Sequence, residues 1–173
     1  MSITDSAFSS SALLWTRRGW LAAAVAFAAA PAWASIDGPQ RPGVLFVCEA
    51  GTVKSAMARE LFRIRARQRG IAVDAISRGL NLADHVSPGL RQRLAADRID
   101  TTAEPAQALA SADWQAALLV VAFNPLPASV ERRDVIDWTD LGSMNDDYDR
   151  SLADLRGRIE GLLDRLAAHA STG

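Results

Sequence analysis

The sequence predicts an α/β protein with three layers, in which a four-stranded parallel sheet carries helices on both faces. Short apolar runs of the kind that form buried strands alternate along the chain with longer segments of helical periodicity. Such alternation is typical of parallel strands joined by right-handed crossovers. Ligands of these sheets bind beyond the carboxyl ends of the strands, so we expect a functional site at that edge.

The first half of the predicted domain contains two strands and two helices. Strands are expected at 43–47 and 72–77. A helix is expected after each of them, at 54–69 and at 88–97. Gly70 is the stop signal of the first helix. Ser87 is placed to cap the second helix, with Pro88 at its first position. Five arginines of the first helix are expected on a solvated face: Arg59, Arg63, Arg65, Arg67 and Arg69.

The second half is predicted to hold the remaining two strands and two helices. A short helix is expected at 105–109, strands at 117–123 and 134–137, and a long helix at 147–168. Asn124 and Pro125 end the third strand. Aspartates at the start of the last helix complement its dipole.

The first 34 residues are predicted to be a signal peptide of the twin-arginine type. Residues 16–21 read TRRGWL, and the Ala-rich run over 21–34, which is 14 residues long, ends in a small-x-small cleavage site at Ala32 and Ala34. That run is shorter than the roughly 20 residues needed to span a bilayer. A general secretory signal, an uncleaved anchor and a mis-assigned start codon are the alternatives. We expect cleavage before Ser35, a linker over 35–42, a domain over 43–168, and a periplasmic protein without a membrane anchor.

Cleavage would leave 139 of the 173 residues, which is a comfortable size for one domain. The net charge would change from −1 to −2, because Arg17, Arg18 and Asp5 are removed. This balance does not indicate a nucleic-acid partner. The single cysteine, Cys48, excludes an internal disulfide. We assign no metal, no cofactor and no oligomeric state.

The most informative segment is VLFVCEAGTVKSAMA, residues 44–58. A buried strand ends on Cys48, a short loop containing Gly51 follows, and a helix begins near Lys54 or Ser55. This arrangement presents backbone N–H groups and a helix N-terminus to an anion. The same groups would stabilise a thiolate. The segment therefore predicts a nucleophilic sulfur beside an oxyanion site, with an inert buried cysteine as the alternative.

The same segment resembles the C-x5-R-S loop of the low-molecular-weight protein tyrosine phosphatases and of the arsenate reductases that share their fold. The family pattern is close to VLFVCxGNxCRSPMA, and Lys54 stands where the family has Arg. The resemblance extends more weakly over 43–167. Residues 76–79 resemble the family's second strand and its Ser-x-Gly turn, and residues 138–140 resemble the segment that bears the general acid. The resemblance implies the phosphatase fold described above.

The resemblance also implies roles for individual residues. Cys48 is the implied nucleophile, and Lys54 is the implied cation for the phosphoryl oxygens. The implied phosphate-binding loop consists of Glu49, Ala50, Gly51, Thr52, Val53 and Lys54. The Ser55 hydroxyl is implied to donate to the thiolate, and an N-cap role is equally open. We expect the Glu49 carboxylate to point away from the anion.

Asp140 is the implied general acid, which protonates the leaving oxygen and then activates water. The family has Asp-Pro here, whereas Leu141 follows Asp140 in this chain. Asp137, Asp146 and Asp147 are rival acids. Trp138 is expected either to form an aromatic wall for the substrate or to lie in the core.

Three functions follow from these residues. The first is a phosphomonoester hydrolase of the tyrosine phosphatase type, acting through a cysteinyl-phosphate and needing no metal. The second is an arsenate reductase that uses an external thiol, because the chain has no further cysteine to relay electrons. The third is a non-catalytic oxyanion-binding module with a degenerate loop. In all three, the partner is a phosphorylated substrate or another oxyanion.

Overall fold

The computed structural model describes residues 43–170. The predicted signal peptide, 1–34, and the predicted linker, 35–42, lie outside the described residues and stay predictions. Within 43–170, none of the helices is both long and apolar enough to cross a membrane.

The described residues form one sheet of four parallel strands in the order β2-β1-β3-β4. The strands are β1 Val44–Cys48, β2 Ala75–Gly79, β3 Leu119–Ala122 and β4 Val135–Asp137. The side chains of the central strand β1 are all buried, which explains its unbroken apolar sequence. In the register of the sheet, Cys48 pairs with Gly79, so both residues lie at the carboxyl edge. The predicted α/β fold class is confirmed.

Four helices accompany the sheet: α1 Lys54–Gln68, α2 Pro88–Ala96, α3 Ser111–Ala116 and α4 Tyr148–Ala170. Gly70 follows α1 with a φ of 67°, the left-handed conformation that favours glycine after a helix. The Oγ of Ser87 accepts a hydrogen bond from the backbone N–H of Leu90, as predicted for the cap of α2.

Apolar side chains fill both faces of the sheet. On one face, Phe46 and Phe123 pack with the apolar side chains of α1, α2 and α4. On the other face, Leu45 and Val47 pack with Trp114 of α3 and with neighbouring loops. The alternation of side chains along β1 therefore feeds two separate cores, which gives the three-layer arrangement.

Two of the predicted element positions are wrong. Residues 105–109 do not form a helix, because this segment runs beside the end of β2, where the N–H of Gly79 donates to Gln107 and the N–H of Leu109 donates to Gly79. The missed helix is α3, which begins at Ser111. Strand β2 begins at Ala75 rather than residue 72, since Ala75 is the residue that pairs with Val44 at the start of β1.

The prediction that the α1 arginines share a solvated face is wrong for Arg59, which is only 1% exposed. Its Nη1 donates to the Oγ of Ser77 at 2.9 Å, and its Nε pairs with Glu60. Arg59 lies four residues after Ser55 and three before Phe62, and all three are buried. The helical spacing thus places a second row of buried side chains on α1, beside the row formed by Met57 and Leu61.

Candidate active site

The sulfur of Cys48 lies at the carboxyl end of β1, inside the turn formed by the 49–54 loop. Cys48 is 4% exposed. The backbone N–H of Gly51 donates to Sγ over 3.2 Å, and Oγ of Ser55 lies 3.0 Å from Sγ. Because α1 begins at Lys54, its first N–H groups lack partners within the helix and border the same loop. The arrangement is one that stabilises a thiolate.

Glycine is required at two positions that face each other behind this loop. Gly51 has a φ of 75°, and a Cβ built on it would lie 3.0 Å from the backbone N of Gly79. A Cβ on Gly79 would lie 2.9 Å from the backbone N of Gly51. The end of β2 therefore supports the loop by direct backbone contact, and this contact is the physical reason for glycine at both positions.

The segment after β2 holds the loop in place with further hydrogen bonds. The N–H of Leu80 donates to the carbonyl of Cys48 at 3.0 Å, and the N–H of Asn81 donates to that of Glu49 at 2.8 Å. Thr52 donates through Oγ1 to the carbonyl of Ala83 at 2.9 Å. The 49–54 loop is thus held at its start and in its middle by protein contacts alone, which is the preorganisation that anion binding requires.

The structure decides between the two geometries considered for Ser55. Residue Val53 occupies the N-cap position of α1, and no side chain caps the helix there. Ser55 is the second helical residue, it is fully buried, and its hydroxyl lies against the Cys48 sulfur. Its oxygen is therefore placed to act on the sulfur rather than to cap α1.

Lys54 links the loop to the segment after β4. Its Nζ donates to the carbonyl oxygen of Leu141 at 2.6 Å. Burial lowers the pKa of the Lys54 ammonium, the coulombic interaction with Cys48 raises it, and Arg158 lowers it further. Lys54 is also the only lysine among the 19 basic residues of the chain. The cation beside the sulfur is thus a partly desolvated point charge in a chain that otherwise uses arginine.

Asp140 lies at the surface in an ion pair with Arg158 of α4. The two carboxylate oxygens accept hydrogen bonds of 2.7 and 2.8 Å from Nη1 and Nη2. This bidentate pairing holds the pKa of the Asp140 carboxyl below its usual range. The residue after Asp140 contacts Lys54, so the backbone of this segment lies next to the 49–54 loop, while the carboxylate is engaged by Arg158.

The structure also places Trp138 and two of the aspartates that were alternatives to Asp140 as the general acid. Trp138 is 7% exposed and packs its ring against Phe46 and Phe123, so it belongs to the core rather than to a substrate wall. Asp147 accepts a hydrogen bond from the N–H of Arg150 at the start of α4, as expected of a helix cap. Asp137 is exposed and accepts from the N–H of Thr139.

The sequence assigned no role to three residues of the site: Arg158, Asn81 and Asn124. Arg158 lies four residues after Asp154 on α4, and this pairing within the helix was visible in the sequence. Its contact with Asp140 depends on the fold. The two asparagines follow β2 and β3, at the sheet edge where a site was expected, and both bond to Glu49.

Together, these residues form a preorganised loop around a buried sulfur, with one lysine beside it and no fork of two donors from a single cation. No group of three or more metal-binding side chains occurs among residues 43–170. Glu49 is exposed, as expected, and therefore leaves the interior of the loop to backbone N–H groups. The site is suited to bind a phosphate-like anion and to attack it with sulfur.

Residues 43–132, more than half of the chain, match the family described as low molecular weight phosphotyrosine protein phosphatase. None of the curated proteins compared by sequence matches the chain.

Solved structures show the same fold. YfkJ from Bacillus subtilis is 17% identical, with a TM-score of 0.61 over 73% of this chain and 94% of its own. A cysteine-to-serine mutant of the YwlE arginine phosphatase with a phosphorylated active-site serine is 19% identical, with a TM-score of 0.62 over 72% and 95%. A thioredoxin-dependent arsenate reductase from Corynebacterium glutamicum is 20% identical, with a TM-score of 0.56 over 74% and 63%.

Proposed function

Since the chain belongs to the low molecular weight phosphotyrosine protein phosphatase family, we propose that it hydrolyses phosphomonoesters through a phosphoryl group carried on Cys48. The contacts of the sulfur carry this proposal. Sγ of Cys48 accepts from the N–H of Gly51 and lies 3.0 Å from Oγ of Ser55. Both donors favour the thiolate, which is the nucleophilic form of cysteine.

In the first step the thiolate of Cys48 attacks the phosphorus atom. An S–P bond forms while the P–O bond to the leaving group breaks, and the leaving oxygen takes a proton from the Asp140 carboxyl. N–H groups of the 49–54 loop and the N-terminus of α1 bind the equatorial oxygens. Lys54 adds a positive charge once its ammonium leaves the carbonyl of Leu141.

In the second step water attacks the cysteinyl-phosphate. The Asp140 carboxylate accepts a proton from the water as the new P–O bond forms and the S–P bond breaks. The hydroxyl of Ser55 donates to the departing sulfur, and inorganic phosphate is released. The contact between Ser55 and Cys48 supports this role for the hydroxyl.

A second candidate is a non-catalytic oxyanion-binding module. Two observations favour it: Lys54 donates to Leu141, and Asp140 is paired with Arg158. In these pairings the Lys54 ammonium and the Asp140 carboxylate are engaged by other protein groups rather than free to act on a substrate. The third candidate is an arsenate reductase, which would have to draw electrons from an external thiol because Cys48 is the only cysteine of the chain.

The proposal includes export. The Arg17-Arg18 pair and the Ala-rich run support transport of the folded protein to the periplasm and cleavage before Ser35. The proposed partner there is a phosphorylated substrate.

Hydrolysis of 4-nitrophenyl phosphate by the protein beginning at Ser35 tests the function, with Cys48→Ala as the control. Phosphatase activity that disappears in Cys48→Ala supports the hydrolase. Phosphate binding without hydrolysis above the Cys48→Ala background supports the module. Arsenate-dependent oxidation of an added thiol protein, lost in the same variant, would support the reductase.

A further inference from the structure

A cavity of about 510 Å³ opens beside the first residue of the 49–54 loop. It lies on the α3 side of the sheet, and its walls include Leu80, Trp114 and Leu126, which pack against the Leu45 core. Glu49 contributes the only charged side chain among the described residues that line the cavity. The cavity therefore combines apolar and polar lining groups, among them an indole and one negative charge, which belongs to the residue that follows Cys48 in the chain.

The position of Glu49 is fixed by two asparagines. The side-chain amide of Asn81 donates to Oε1 of Glu49, and the backbone N–H of Glu49 donates to Oδ1 of Asn124 at 2.9 Å. Asn81 follows β2 and Asn124 follows β3, so the segments after two strands hold the acidic residue that lines the cavity. The bond from Asn81 orients the carboxylate, and the bond to Asn124 holds the backbone that carries it, so the negative charge has a preferred position at the cavity.

A fixed negative charge next to an oxyanion site repels a phosphoryl dianion. The repulsion is offset when the same substrate carries a positive charge that reaches the carboxylate. An indole attracts ammonium and guanidinium groups through its ring face, most strongly where water is excluded. Glu49 and Trp114 thus provide the two interactions by which a cation is recognised, within one cavity.

We propose that this cavity binds a positively charged leaving group, an alkylammonium or guanidinium, so that preferred substrates carry a phosphoryl anion at one end and a cation at the other. The substrate preference rests on the proposed phosphatase function. The cation site itself does not, because the cavity and its carboxylate exist independently of turnover.

The kinetic test uses two aryl phosphates that differ only in charge. One carries a para-ethyl group ending in trimethylammonium, and the other carries the same group ending in tert-butyl. We expect kcat/KM to be about 10-fold higher for the cation, a ratio equivalent to about 1.4 kcal/mol. The ratio should fall to near one in Glu49→Gln and persist in Glu131→Gln, a matched change at another exposed glutamate. Equal rates in the wild type, or an unchanged ratio in Glu49→Gln, would overturn the proposal.

A paired comparison separates small substrates from peptides. Phosphotyrosine peptides with a neighbouring arginine or its neutral analogue citrulline replace the aryl pair. A preference for the arginine peptide points to protein substrates, and a preference confined to the small aryl cation points to a small molecule. Either result supports the cation site, and its absence from both pairs counts against it.

Binding is measured separately so that a failure of catalysis does not decide the question. Tetramethylammonium or methylguanidinium should shift the indole N–H signal of Trp114 in the NMR spectrum, with the signal assigned by Trp114→Phe. Glu49→Gln should weaken this binding several-fold. If no cation shifts the Trp114 signal, the site does not exist, whether or not the protein hydrolyses phosphate esters.

Discussion

The carboxylate of Asp140 is held by the guanidinium of Arg158 through two parallel hydrogen bonds of 2.7 and 2.8 Å. The pairing lowers the pKa of Asp140 and raises that of Arg158. Asp137 and Asp154 are the other acidic groups close to this pair, and Asp154 shares the same guanidinium. A general acid must be protonated to act, so the ion pair restricts proton donation by Asp140 to acidic solution.

Replacing Arg158 by Gln should widen the pH range of activity. Without the guanidinium, the pKa of Asp140 rises, and the alkaline limb of the kcat profile for an aryl phosphate moves to higher pH. Profiles between pH 3 and 8 measure this shift. Arg156→Gln, an equal charge change at an exposed position of α4, should leave the limb in place. An unmoved limb in Arg158→Gln would show that Asp140 is not the acid.

Replacing Lys54 by Arg should increase turnover. Arginine offers two parallel donors to a phosphoryl group, whereas the Lys54 ammonium is a point charge that also donates to Leu141. We expect kcat for an aryl phosphate to rise by about 10-fold, which corresponds to about 1.4 kcal/mol of transition-state stabilisation. Phosphate inhibition should change less, because a point charge already serves the ground state.

Lys54→Gln is the control for this series, since it keeps a donor for the Leu141 carbonyl and removes the charge. It should weaken both phosphate binding and turnover. If Lys54→Gln binds phosphate as well as the wild type, the cation takes no part in the anion site.

The raised pKa of Tyr148 predicts that the protein loses stability in alkaline solution. Its pKa is raised, first by burial and then by the 2.6 Å hydrogen bond from its hydroxyl to Asp97. Above the ordinary tyrosine pKa of about 10, the unfolded chain releases this proton and the folded chain retains it, so the free energy of unfolding falls as pH rises. Tyr148 is the only tyrosine of the chain, which makes its absorbance titration unambiguous.

In the native protein we expect tyrosinate absorbance to develop only above pH 10. In the protein unfolded in urea, it should develop near pH 10, the ordinary pKa of tyrosine. Tyr148→Phe should flatten the alkaline dependence of the unfolding free energy relative to the wild type. A native titration at the ordinary pKa would contradict the coupling to Asp97.

Export depends on the arginine pair at residues 17 and 18. Changing both to Lys should leave uncleaved precursor inside the cell, because the twin-arginine route reads the pair itself rather than its charge. Fractionation followed by N-terminal sequencing measures the outcome. Normal amounts of protein beginning near Ser35 in the periplasm would instead indicate a general secretory signal.

The sequence predicted the part of the site that is contiguous in the chain. Cys48, Gly51 and Ser55 lie within eight residues, and the strand, loop and helix that position them are local structures with strong patterns. The paired glycines were less visible. Gly79 was recognised only as part of a turn, and its contact with Gly51 arises from the pairing of β1 with β2.

The parts that depend on distant contacts were not predictable from local patterns. The helix expected at 105–109 was wrong because the end of β2 captures that segment through Gly79. The burial of Arg59 was missed because Ser77, its partner on β2, is 18 residues away along the chain. The pairing of Arg158 with Asp140 joins α4 to the segment after β4 and has no local signature.

The most direct test of the account is to trap the phosphoryl group on Cys48. Protein beginning at Ser35 is mixed with an aryl phosphate, denatured within the first turnover, and digested for mass spectrometry. We expect one phosphate on the peptide that contains Cys48, more of it in Ser55→Ala because the sulfur leaves more slowly, and none in Cys48→Ala. Hydrolysis that is lost in Cys48→Ala but never yields this adduct, in the wild type or in Ser55→Ala, would contradict the proposed cysteinyl-phosphate.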